Sequence, residues 1–151
     1  MSQQTLNDAL ILYPVLNADI SSGANISASK VQQHKMISSD FGLDPDDTPV
    51  AKTKLVYVAQ QSATLTTFRA MLADTGTTTD VSFDLKKNGT TVLTATVDIT
   101  DSQVDNTMYA GTITSTSLSA GDVVTVELAV TSSTAALGPY CEITLNDSYI
   151  G

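Results

Sequence analysis

Beyond residue 51 the chain alternates apolar and polar side chains in short runs, the period-two signature of strands with one buried face. The clearest run is DVSFDLKK (80–87), where Val81, Phe83 and Leu85 share one face and Ser82, Asp84 and Lys86 the other. VVTVELAVT (123–131) sets Val124, Val126, Leu128 and Val130 in phase, and PYCEITLND (139–147) does the same with Cys141, Ile143 and Leu145. TKLVYVAQQ (53–61), TLTTFRAML (64–72), TTVLTATVDI (90–99, with Leu93, Ala95, Val97 and Ile99 inward) and MYAGTITSTSL (108–118) complete the set. Asn88-Gly89 joins two of these runs, and both residues tolerate the positive φ of a two-residue hairpin. Ala120-Gly121-Asp122 supplies a second turn. Some seven or eight strands, spaced near ten residues with no helical period between them, predict an all-β, antiparallel, jelly-roll-like sandwich over 51–151.

The first fifty residues read differently. DALILYPVL is a short apolar run broken by Pro14, NADISSGANISASK is small and polar, and FGLDPDDTPV holds two prolines and three aspartates. One short helix over Ser27–Met36 is expected, and the rest reads as an extended arm over 1–50. Such a length without pattern exceeds ordinary loops. Yet Leu10, Ile11, Leu12, Tyr13, Val15 and Leu16 are residues that disordered tails lack. The arm is therefore expected to be ordered by a partner, through these six together with Ile20, Ile26, Lys30, Val31, His34 and Phe41.

Composition narrows the function classes. The 39 Ser and Thr residues suit pleated surfaces, and only 15% of residues are charged, so the surface is mostly hydroxyl and amide. Net charge is −9, and all seven basic residues lie at or before Lys87. An acidic C-terminal half repels phosphate, so no nucleic-acid partner is expected. No run approaches the length of a membrane helix, and MSQQTLNDALILYPVL lacks the basic start of a secretory signal; neither a membrane nor a secretion route is expected.

Catalytic chemistry finds no footing in the pattern. His34 has Gln32, Gln33 and Lys35 around it, with no ligand or base partner at useful spacing. Cys141 is the single cysteine and sits in an apolar alternation, as a buried hydrophobe would. Glu127 and Glu142 alternate with apolar residues and are expected to face solvent. DPDD (44–47) lacks the spaced donors of a calcium loop and reads as a Pro-rich acidic turn. Phosphate-loop and nucleophile-elbow motifs are absent. The expectation is a protein without catalytic residues, cofactor or metal.

NADISSGANISASKVQQHK (17–35), followed by DFGL, resembles the N-terminal region of tailed-bacteriophage virion proteins. VSFDLKKNGTTVLTATVDIT and SLSAGDVVTVELAV resemble the β-rich domain of the same group, with its NG hairpin and AGD strand. The likeness covers residues 17–42 and roughly 65–146. It implies a structural protein at the capsid surface of the virion: a decoration, or cement, protein that binds the major capsid protein, stabilises the shell and forms a homotrimer. The acidic DPDD segment and the loss of basic residues after Lys87 depart from that pattern. The alternative reading is a head or tail fibre, an adhesion module binding host-surface glycans, for which Tyr109 and Tyr140 are the visible aromatic candidates.

Overall fold

The computed structural model describes residues 32–148, and within them the fold is two antiparallel five-stranded sheets packed face to face. Ten strands follow in order. They are β1 (Gln32–Ser39), β2 (Lys52–Val58), β3 (Ala63–Asp74), β4 (Thr78–Lys87), β5 (Thr90–Thr91), β6 (Val97–Thr100), β7 (Tyr109–Gly111), β8 (Ser117–Leu118), β9 (Val123–Thr134) and β10 (Leu137–Ser148). One sheet runs β1-β10-β3-β7 with β8 also on β3, and the other runs β2-β9-β4-β5 with β6 also on β4. The first four strands alternate between the sheets, and the first pairs with the last, the second with the next to last. That is jelly-roll order.

The alternation read from sequence becomes the core. Val81, Phe83 and Leu85 of β4 register against Val130, Leu128 and Val126 of β9. Phe68 and Ala70 of β3 lie beside Ile143 and Cys141 of β10. Burying each Val, Leu, Ile or Phe among these contributes roughly 1.5–3 kcal/mol before ordering costs. Two long runs are interrupted, however. TTVLTATVDI splits into β5 and β6, and Ala95 is exposed in the break rather than inward. MYAGTITSTSL splits into β7 and β8.

Turn chemistry matches the sequence closely. Asn88 and Gly89 adopt φ of 50° and 82°. The Asn88 side chain then ties this hairpin to the second turn: its amide donates to Asp122 Oδ1 at 2.7 Å, and Val123 N donates to its Oδ1 at 2.8 Å. Asp122 Oδ2 accepts Ser119 N at 2.8 Å. These donors, Ser119 N–H first, hold the Asp122 carboxyl below its ordinary range.

The N-terminal boundary needs correction. Gln32–Met36 is strand and not helix, and β1 is the jelly roll's first strand, paired with β10 from Gln32↔Ser148 to Ser39↔Cys141. The sandwich therefore starts inside what the sequence suggested was arm, well before residue 51. Phe41 is also misassigned as a partner contact: it is fully buried, its ring centroid 5.8 Å from that of Phe83.

Candidate functional site

Where the chain enters the sandwich, three side chains from two sheets meet. Asp147 sits at the inward end of β10, 2% exposed. Tyr57 of β2, in the opposite sheet, donates its hydroxyl to Asp147 Oδ1 at 3.0 Å. Lys35 of β1 pairs with Asp147 Oδ2, and its ammonium lies 5.7 Å from the Tyr57 ring centroid. The bond to Asp147 raises the Lys35 pKa, while burial first and the same carboxylate second raise that of Tyr57. A buried carboxylate is tolerable only when paired. Here its partners clamp the two edge strands β1 and β2 across the open side of the sandwich.

The outer face of the β1 sheet is the second feature. His34, Met36 and Ser38 project from it, and all three are exposed. A register shift against β10 at Thr144/Leu145 brings Thr66 and Thr67 together onto this face. Their hydroxyls lie 2.7 Å and 2.5 Å from that of Thr144. Arg69 pairs with Glu142, which is 8% exposed and so does not face solvent as its spacing suggested. His34, the three threonines, Arg69 and Gly111 border a shallow concavity of about 550 Å³. Asn146, opposite His34 in register, has a shielded Oδ1 without a hydrogen-bond partner among the described residues.

At the Tyr140 end of the same face lies a more enclosed cleft of about 430 Å³. Its walls are Leu43, Pro45, Met71, Pro139 and Tyr140, and its rim carries Asp40, Asp44 and Asn106. The loop above is anchored at several points. Asp44 and Asp47 close a turn, with Asp47 N on Asp44 O at 2.9 Å and Asp44 N on Asp47 Oδ2 at 2.8 Å. Gly138 N donates to Asp47 O at 2.9 Å. Gly138 adopts φ of 59°, and a Cβ there would lie 2.6 Å from Pro45 O and 2.7 Å from Ala73 Cβ, so no larger residue fits.

Of the candidates named from sequence, His34 lies on the exposed outer face and Phe41 in the core. Leu10, Ile11, Leu12, Tyr13, Val15, Leu16, Ile20, Ile26, Lys30 and Val31 lie outside the described residues. Cys141 is buried, and burial pushes its thiol up to about 12. The Tyr109 hydroxyl accepts Val104 N at 2.8 Å and so braces a loop. Among the described residues, no three His, Cys, Asp or Glu side chains converge as a metal site would require. The Lys35–Tyr57–Asp147 cluster was missed because its members are far apart in sequence. The one signal was a lysine at an inward position of a strand that itself went unrecognised.

No protein-family model matches this chain, and no curated protein matches it. Among solved structures the chain is similar to the C-terminal domain of EclA, a sugar-binding protein, at 12% identity. That alignment covers 88% of this chain and 98% of the other, with a TM-score of 0.35. A likeness this distant bears on neither mechanism nor ligand.

Proposed function

We propose that the chain is a virion structural protein of a tailed bacteriophage, a capsid decoration protein attached to the major capsid protein shell. Its jelly roll stands on the capsid surface, its N-terminal segment fastens it there, and three copies associate. One observation carries this reading beyond the sequence resemblance. Residues 32–148 enclose a continuous core of their own, from Phe41 to Leu145. On this reading the apolar residues between Leu10 and Val31 pack on a partner. Each of them buried fully on a shell subunit contributes roughly 1.5–3 kcal/mol before ordering entropy is subtracted. Repeated over many copies, such contacts resist expansion and heat.

The test uses shells of the parent particle stripped of the protein and the full-length chain added back. The wild type should rebind and raise the temperature of shell disruption. A Leu10→Asp/Leu12→Asp/Leu16→Asp variant should fail to rebind while its circular dichroism and thermal midpoint stay unchanged. Shells equally stable with and without the protein would refute the proposal.

A further inference from the structure

Acceptors outnumber donors in the cleft beside Tyr140. Asp40 Oδ1 accepts from Gly42 N at 2.7 Å, and its Oδ2 meets no donor among the described residues. The Asp44 carboxylate meets no donor among the described residues, and the same holds for the Tyr140 hydroxyl. Asn106 Nδ2 spends one of its N–H groups on Ala73 O at 2.9 Å, and its carbonyl oxygen meets no donor among the described residues. No basic side chain lines the cleft. Two carboxylates without a cation exclude phosphates, sulfates and acidic sugars by charge. One aromatic ring is too few for the multi-ring cage that recognises organic cations. The match is a neutral ligand rich in hydroxyl donors, with one apolar face for Tyr140 and the prolines.

The cleft is also formed in advance. Phe41 at φ 61° and Asn106 at φ 53° flank it, both in the left-handed region that side chains rarely occupy. Phe41 is locked by burial, and Asn106 N is held on Leu72 O at 3.0 Å. A rim fixed by such anchors loses little freedom on binding. At about 430 Å³ the cleft falls within the range of small-molecule sites.

We propose that this cleft binds a neutral pyranose of a glycan. The ring stacks on Tyr140, and its hydroxyls donate to Asp40, Asp44 and the Asn106 carbonyl. This binding is separate from attachment to a shell and stands or falls without it.

The experiment is ligand-observed saturation-transfer NMR with the full-length chain and the methyl glycosides of glucose, galactose, mannose and N-acetylglucosamine. At least one should show transfer to its ring protons. Tyr140→Ala should abolish that transfer. Asp44→Asn should weaken affinity about tenfold, as expected for losing a charge-assisted hydrogen bond. Thr66→Ala, on the same face but outside the cleft, should leave it intact, and all three variants should keep the wild-type thermal midpoint. Affinity should change little between 50 and 500 mM salt, because a neutral ligand carries no charge to screen. No transfer with any glycoside overturns the proposal, as does transfer that survives Tyr140→Ala. Binding confined to tetramethylammonium, and lost at high salt, assigns the cleft to cations and overturns it equally.

Discussion

Phe41 sits at φ 61° with its ring fully buried against Phe83, a costly backbone angle retained because the core needs the ring. Phe41→Ala should therefore lower unfolding free energy by about 3–5 kcal/mol in urea titration, as for other large core truncations. A loss under 1 kcal/mol would mean the ring is not part of the core. Gly138→Ala should destabilise far more than Gly89→Ala: both glycines have positive φ, but only Gly138 meets backbone where a Cβ would stand. The buried Cys141 thiol, raised to about 12, should resist alkylation by iodoacetamide at neutral pH until the fold is denatured. At this scale the sequence was legible where burial follows alternation, as at Cys141, Val81 and Leu85. It was opaque at Phe41, because a bulky residue at positive φ follows no pattern and is fixed by its tertiary surroundings.

β1 and β2 are edge strands whose inward positions include charged residues, and that is why β1 escaped the period-two reading. Lys35 lies on the inward side of β1 at the open edge, its side chain 43% exposed, where Asp147 and Tyr57 meet it. Tyr57→Phe removes one of the two bonds on a buried carboxylate and should cost about 1–3 kcal/mol. The pH dependence has a definite sign. Lys35 and Tyr57 both have pKa values raised above 10.5 and 10.0, so their contribution is complete below those values and fades as pH rises through the higher folded ones. Thermal midpoints should fall above about pH 10, and less steeply in a Lys35→Met/Tyr57→Phe variant. Asp105, lowered chiefly by Thr75 N–H, and Asp122 act oppositely. Their contribution is present above pH 3.8 and is lost as pH falls through their depressed values. Asp122→Asn should accordingly flatten the acid limb of the stability curve below that point.

For the whole molecule, the class of fold was legible and its closure was not. Hairpins such as Asn88-Gly89 and the alternation of β4, β9 and β10 declare a sandwich. The pairing of β1 with β10 joins residues more than a hundred positions apart, and only the folded chain shows it. The same separation hid the Tyr140 cleft, assembled from residues 40–45, 71–73, 106 and 138–140. What distinguishes a decoration protein from a fibre is the number of copies that the particle carries. Quantitative mass spectrometry of purified particles, with the major capsid protein as internal standard, measures this directly. The proposal predicts copies in the hundreds, in fixed ratio to the capsid protein and lost together with shell stability when the protein is removed. A handful of copies per particle, or labelling confined to the tail, would contradict it.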